Sequence, residues 1–210
     1  MNQITQEKLK PMIDEALKTT SSEEDTFEVQ IALKGYDYNK DVRFDSNVVL
    51  PHPKRKNEKI LIIADKTLEQ KAVSLSLPFV NYESVQGASK ERQKLKGKLC
   101  RRSHSLIAES TFNKAFEMRI INRKRKPLFI IKNVGDLQNF YNDVSKTVKF
   151  KLRKENTLSF PAGYAEMGSE KIVENVYLGL THLLGLLKKG MRNIDSIFIK
   201  TAKGKPVKVH

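Results

Sequence analysis

The sequence predicts a two-domain protein of mixed α/β and α+β class, in which both chain ends build one split α+β domain around an inserted α/β domain. Two observations predict this. Towards the chain ends, the sequence predicts strands of alternating polar and apolar residues and one long apolar helix. In the middle, short apolar runs follow helical segments in turn. We place the split domain at residues 1–57 and 146–210 and the insert at residues 58–145.

The N-terminal segment predicts one helix and two strands. Apolar residues at helical spacing favour a helix within residues 4–17. Thr26–Leu33 alternates polar and apolar side chains, which is typical of a half-buried strand. Residues 47–50 predict a second strand, which the prolines at 51 and 53 end.

The middle segment predicts a parallel sheet. Residues 60–64 form a continuous apolar run, typical of a strand that is covered on both faces. Asp65 follows it where nucleotide-binding acids often lie, but no glycine-rich phosphate loop comes next, so we expect a turn residue. Further strands are predicted at residues 77–80, 105–108 and 128–131, with helices at 68–75, 89–100, after Glu109 and at 137–144.

The C-terminal segment predicts a strand at residues 147–152, with which residues 157–160 are expected to pair. Ser169 is expected to cap the long apolar helix that follows. Gly190 is expected to take the left-handed position at the end of that helix. Residues 194–199 predict the last strand.

Positive charge is the main compositional signal of this 210-residue chain. It carries 39 Lys and Arg against 24 Asp and Glu, a net charge of +15. Residues 1–57 have a net charge of −1, whereas the insert and the C-terminal segment each have +8. Four basic clusters predict a polyanionic partner, RNA before DNA or a membrane surface. These clusters are residues 53–56, 90–102, 119–126 and 200–208.

The residue types predict neither an enzyme nor a metal or cofactor site. The four histidines form no pair at metal-ligand spacing, and His182 is expected to pack within its apolar helix. Cys100 is the single cysteine, which fits a reducing compartment. No signal peptide or membrane-spanning run is predicted, so we expect a cytoplasmic protein. The alternatives to an RNA-binding protein are an enzyme built on the central α/β segment and a basic DNA-binding protein.

Three stretches of the sequence carry a family resemblance. They are Thr26–Asp37 with Asn39–Asp41 and Arg43–Phe44, then Lys146–Leu152 with Pro161–Gly163, and last Leu183–Lys189 with Ile197–Thr201 and Gly204–Pro206. In that order and spacing they resemble the large-subunit ribosomal stalk protein family, the first-numbered universal family of that subunit, in its eukaryotic cytosolic form. The resemblance covers nearly the whole chain. It is specific in the terminal segments and weak in the middle.

The resemblance implies that the split domain grips large-subunit rRNA and that the insert is Rossmann-like. It also implies a mobile stalk beside the tRNA exit site, which assists release of deacylated tRNA. The implied partners are rRNA, exit-site tRNA transiently, and other ribosomal components, with no membrane and no obligate homo-oligomer. The alternative is a general basic RNA-binding protein or a translational regulator that binds mRNA.

The first strand supplies the leading candidates for RNA contact. Thr26, Glu28 and Gln30 share one face of it, and polar side chains on a sheet can read RNA 2′-hydroxyls. For Gly163, turn chemistry and RNA contact are equally open. The RNA-binding residues that we predict are Thr26, Glu28, Gln30, Lys34, Lys149, Lys151, Gly163, Lys200, Thr201, Lys203, Gly204 and Lys205.

The sequence departs from the family pattern at three places. Glu23 stands where the family has an aromatic residue, and Ala202-Lys203-Gly204 stands where it has Thr-Met-Gly. In residues 116–127 only Pro127 clearly matches, and basic residues replace the family's glycines. We therefore expect RNA affinity to depend more on charge. We also expect the insert to present a second, less specific basic surface.

Overall fold

The computed structural model describes residues 5–20, 22–37, 40–41, 43–87, 89–109, 126–152 and 156–210. The chain is a mixed α/β protein, as predicted, and divides into two compact units. Unit 1 comprises residues 1–56 and 146–210, and unit 2 comprises residues 57–145. None of the helices in the described ranges is long and apolar enough to cross a membrane.

The elements follow one another along the chain in three groups. The first part of unit 1 contains α1 (Gln6–Lys18), β1 (Thr26–Leu33) and β2 (Asp45–Val49). Unit 2 contributes β3 (Ile60–Ala64), α2 (Lys66–Ser74), β4 (Phe79–Asn81), α3 (Tyr82–Val85), α4 (Lys90–Arg102), β5 (Ser105–Glu109), β6 (Leu128–Ile131) and α5 (Leu137–Lys146). The chain then returns to unit 1 with β7 (Thr147–Lys151), β8 (Thr157–Tyr164), α6 (Ser169–Leu186), β9 (Ile194–Thr201) and β10 (Val207–Lys208).

The main sheet of unit 1 is antiparallel, and its described strands run in the order β10-β9-β1-β8. Phe27, Val29 and Ile31 of β1 are fully or almost fully buried on one face of this sheet. That face packs against the apolar sides of α1 and α6, which supply residues such as Ile13 and Val176 to the same core. The core of unit 1 therefore lies on one side of the sheet only.

A second, two-stranded sheet in unit 1 pairs β2 with β7. The predicted pairing of residues 157–160 with 147–152 is wrong, because β8 extends to Tyr164 and pairs with β1 instead. Strands β7 and β8 contact each other through side chains instead: the rings of Phe150 and Phe160 lie 5.1 Å apart, edge to face. His182 packs as predicted, with Nε2 2.9 Å from the Ser46 hydroxyl and its ring beside Phe150.

The described strands of unit 2 form a parallel sheet in the order β4-β3-β5-β6, which confirms the predicted parallel arrangement. Alternate residues of β3 enter two different cores. Ile60 and Ile62 pack with α2 and α5. Leu61 and Ile63 lie on the other face of the sheet, where they pack near Cys100 of α4. Asp65 is the turn residue expected, and its carboxylate caps α2 by accepting from the Lys66 backbone N–H.

Two predicted helix ends need correction. Ser169 is the first residue of α6 and makes no capping hydrogen bond, because Gly168 occupies the cap position with φ +87°. Gly190 does have a positive φ of +53°, but α6 has already ended at Leu186. Gly190 instead begins a short 3₁₀ helix that leads to β9. The helix predicted after Glu109 lies outside the described residues.

Candidate RNA-binding surface

The outward face of the main sheet carries the polar residues of β1. Thr26 and Glu28 are partly exposed and Gln30 is exposed, while the residues between them are buried, as the alternation predicts. In the register of the sheet, Glu28 lies between Pro161 and Lys200. Gln30 lies between Ser159 and Phe198. We call the surface formed by Thr26, Glu28, Gln30, Ser159, Phe198 and Lys200 the polar sheet face.

No described helix of unit 1 covers the polar sheet face, because α1 and α6 pack on the other side of the sheet. A β-bulge adds to its shape: the register of β8 against β1 shifts between Phe27 and Glu28. Bulges increase the local twist of a strand pair and re-aim side chains. The sheet thus forms a platform that is polar on the side away from α1 and α6.

Opposite charges lie side by side on this platform. Glu28 of β1 is directly across from Lys200 of β9, although the two side chains form no ion pair in the described structure. Both side chains are partly exposed. A carboxylate beside a phosphate would be repelled, so Glu28 suits acceptance from ribose hydroxyls, whereas Lys200 suits a phosphate.

Two members of the polar sheet face, Ser159 and Phe198, were not among the predicted RNA-binding residues. Ile197 and Ile199 are completely buried, so the alternation of β9 turns Phe198 outward beside Lys200. Phe198 is only partly covered, and its neighbours across the sheet are Gln30 and Lys208. That alternation was readable in the sequence. An aromatic ring on a polar sheet is a stacking platform for an unpaired base.

The predicted pair Lys149 and Lys151 lies on a different sheet, on β7 opposite β2. Both side chains hold Asp45: the Lys149 Nζ lies 3.1 Å and the Lys151 Nζ 2.9 Å from its carboxylate oxygens. Burial opposes the charged form of Asp45, but the hydrogen bonds from Lys151 and Lys149 outweigh it and lower its pKa. The carboxylate of Asp45 therefore offsets one of the two positive charges of this lysine pair.

The predicted glycines have packing roles in the structure. Gly163 is buried within β8, so the turn interpretation is wrong; a Cβ there would lie 2.5 Å from Met167 Cε. A Cβ on Gly204 would collide with Thr201 Oγ1 and lie 2.8 Å from Thr19 Oγ1. A side chain at position 163 would require Met167 to move, whereas one at position 204 would require two threonine side chains to move.

Thr201, another predicted contact, is completely buried. Its hydroxyl has no hydrogen-bond partner among the residues that the structure describes. The structure therefore gives no support for RNA contact by this side chain. Lys203 and Lys205, in contrast, are exposed on the turn that follows β9.

Lys34 lies at the far end of β1 from the Lys203 turn. Its side chain is exposed, and its backbone is fixed by hydrogen bonds with Asn193 at 2.8 and 3.2 Å. Thr26 lies at the other end of β1, where its carbonyl accepts from the Ala202 N–H. The structure thus brings Thr26, Glu28, Gln30 and Lys200 together on one face, with Lys203 and Lys205 on the adjoining turn.

The basic cluster at residues 53–56 is largely engaged within unit 1. Lys54 is buried, and its Nζ donates to the Thr147 carbonyl at 2.7 Å. The Nζ of Lys56 lies 2.7 Å from Glu166 Oε2 and 3.5 Å from Glu24 Oε1. The hydrogen bond to Glu166 is the main cause of a raised pKa for Lys56. These lysines anchor the chain near the unit boundary, which the sequence cluster did not reveal.

No group of three His, Cys, Asp or Glu residues in the described ranges is placed to hold a metal ion. Cys100, the single cysteine of the chain, is buried in unit 2.

The model of the ribosomal protein L1p/L10e family matches residues 13–205. The chain belongs to this family. A Caenorhabditis elegans relative named large ribosomal subunit protein uL1 is 30% identical, with both chains covered completely. Proteins of the same name from Oryza sativa subsp. japonica and Entamoeba histolytica are 27% and 30% identical. They cover 99% and 89% of this chain, and this chain covers 97% and 88% of theirs. The resemblance expected from the three sequence stretches is confirmed.

Proposed function

We propose that this L1p/L10e family member is a structural constituent of the large ribosomal subunit and that unit 1 binds large-subunit rRNA. One observation carries the proposal: the sheet has its apolar face filled by two helices, whereas no described helix of unit 1 packs on its polar face. Membership of the family supports the ribosomal setting. The relatives' own names place those proteins in the large subunit.

Three kinds of contact follow from the chemistry of the polar sheet face. Gln30, Ser159 and Glu28 present amide, hydroxyl and carboxylate groups that suit ribose hydroxyls and base edges. Lys200, Lys203 and Lys205 suit phosphates, which fix the position of the RNA without reading its sequence. Phe198 offers a ring on which one base can stack.

The biological role that we propose is the family's role in the ribosome of the cytoplasm. The two units would act as two domains, with unit 1 holding rRNA in a mobile stalk beside the tRNA exit site. Unit 2 would help deacylated tRNA to leave. The role is one of binding and movement, not catalysis.

The first test compares paired charge removals in unit 1. Lys200→Gln with Lys203→Gln should weaken binding to a large-subunit rRNA fragment about tenfold and lower the slope of log K against log salt by about 2. Lys8→Gln with Lys171→Gln is the matched control, since both lysines are exposed on the helices behind the sheet. Filter binding or fluorescence anisotropy across a salt series measures both. Equal losses in the two variants would contradict recognition by the polar sheet face.

Phe198→Ala tests the stacking contact separately. It should cost about 1–3 kcal/mol of binding free energy without changing the salt slope, because stacking involves no phosphate. Tyr177→Ala, which removes a partly exposed ring from the outside of α6, should leave affinity unchanged. A Phe198→Ala variant that binds as tightly as the unmodified protein would remove this ring from the interface.

A further inference from the structure

Helix α4 of unit 2 has the highest density of positive charge among the described helices. Its 13 residues include seven Lys or Arg and one acid, Glu91. Lys90, Lys94, Lys98 and Arg102 recur at every fourth position, and all four are exposed. An α-helix rises 1.5 Å per residue, so successive members of this series are about 6 Å apart along the helix axis. We call this row the α4 cation stripe.

The α4 cation stripe is not used to hold the fold together. None of its four side chains makes a hydrogen bond or ion pair with any residue that the structure describes. Two other basic residues of the helix do have structural partners. Lys96 is buried and donates to the Gly87 carbonyl at 2.9 Å, and the Arg92 guanidinium donates to the Gln86 carbonyl.

The stripe is unfavourable for the isolated protein. Like charges four residues apart destabilise a helix by about 0.2–0.5 kcal/mol per pair, and the stripe contains three successive pairs. Lys90 also lies in the first turn, where the helix dipole disfavours a cation. Of the four cations, only Arg102 lies in the last turn, where the helix dipole favours positive charge. A polyanion along the helix would relieve this repulsion.

The stripe is held on a rigid support. Cys100 of α4 is buried against Leu106 and Ala108 of β5, with Leu61 of β3 beside them. Helices α2 and α5 pack on the opposite face of the same sheet. The cations are thus presented in a fixed row on the α4 side of unit 2.

We propose that α4 binds the phosphate backbone of duplex RNA, without sequence preference and independently of the RNA bound by the polar sheet face. The exposed surface of α4 has one large apolar side chain, Leu95, and no aromatic ring. A protein partner would need an apolar centre to the contact, and single-stranded RNA would need stacking rings. An even row of cations without either suits a regular array of phosphates.

The test uses the full chain and a fluorescent RNA duplex of arbitrary sequence. Lys90→Gln, Lys94→Gln and Lys98→Gln together should weaken duplex binding at least about tenfold at low salt and reduce the salt slope by about 2 to 3. The matched control replaces Lys66, Lys71 and Lys132 with Gln, since these exposed lysines lie on α2 and after β6. Replacing the same three α4 lysines with Arg should preserve binding, which separates charge from folding.

Equal losses in the α4 variant and its matched control would overturn the proposal, because net charge alone would then explain the binding. The proposal would also fail if the Lys200→Gln/Lys203→Gln variant lost duplex binding as strongly, or if the α4 variant lost binding to an acidic protein or anionic vesicles but kept RNA. Failure of rRNA recognition by unit 1 would leave the duplex measurement unchanged. The two proposals are therefore tested separately.

Discussion

At the scale of single residues, lysines that look alike in the sequence have opposite roles in the structure. Lys54 and Lys96 are buried donors to backbone carbonyls, and Lys149 and Lys151 hold a carboxylate. Lys200 makes no such contact in the described part of the chain and lies on the open sheet face. The sequence could predict that the clusters were basic, but a cluster along the chain does not show which members face a partner.

Asp45 gives a pH-dependent prediction. Because the two lysines keep its folded pKa below the unfolded value, its stabilising effect is present above the unfolded pKa and is lost as pH falls through the folded one. Asp45→Asn should lower the free energy of unfolding by less than about 1 kcal/mol at neutral pH, since the carboxylate is partly exposed. The difference from the unmodified protein should shrink below about pH 4. Urea unfolding at both pH values measures it.

The control is Asp195→Asn, because Asp195 is exposed on β9 and has no ion pair in the described residues. Its effect on stability should be near zero at both pH values. Asp45→Asn also releases Lys149 and Lys151. If these lysines contact rRNA as predicted, the variant should bind the rRNA fragment more tightly. Unchanged affinity would show that the pair serves only the fold.

At the scale of elements, sequence periodicity predicted which side chains of a strand are buried wherever that strand has one buried face. The alternation of β1 predicted which side chains point outwards, because successive side chains of a strand point to opposite faces. Pairing was harder to predict. Residues 157–160 were predicted to pair with β7 but pair with β1, because the apolar pattern of β8 is compatible with either strand as its neighbour. Partner choice depends on long-range packing that no local pattern contains.

Replacing either of two glycines of α6 with alanine should have opposite effects on the stability of unit 1. A Cβ on Gly179 would lie 2.7 Å from the ring of Phe160, which is itself held against Phe150, whereas a Cβ on Gly185 would meet nothing within 4 Å. Gly179→Ala should therefore destabilise unit 1 by about 1–3 kcal/mol through overpacking. Gly185→Ala should be neutral or stabilising by up to about 1 kcal/mol through helix propensity. Thermal unfolding followed by circular dichroism compares them. A stabilising Gly179→Ala would show that the helix and sheet can separate freely.

At the scale of the whole molecule, charge and recognition are distributed differently. Residues 1–57 are nearly neutral and supply β1, the strand at the centre of the proposed RNA-binding face, whereas the insert carries about half of the excess charge. The described chain divides into two compact units, with a parallel sheet in unit 2 and antiparallel sheets in unit 1. Composition indicated the class of partner. The choice of surface required the burial of individual side chains, such as the covered Thr201 and the open Phe198.

The proposed recognition of one structured segment of large-subunit rRNA by the polar sheet face of unit 1 can be measured directly. The direct measurement is protection of fragmented large-subunit rRNA by the full chain at moderate salt, with excess duplex DNA as competitor. We expect one structured region to be protected, bound about a thousandfold more tightly than the DNA. Protection should be lost in the Lys200→Gln/Lys203→Gln variant and kept in the Lys8→Gln/Lys171→Gln variant. Equal protection of unrelated RNA segments, or equal loss in both variants, would contradict the claim.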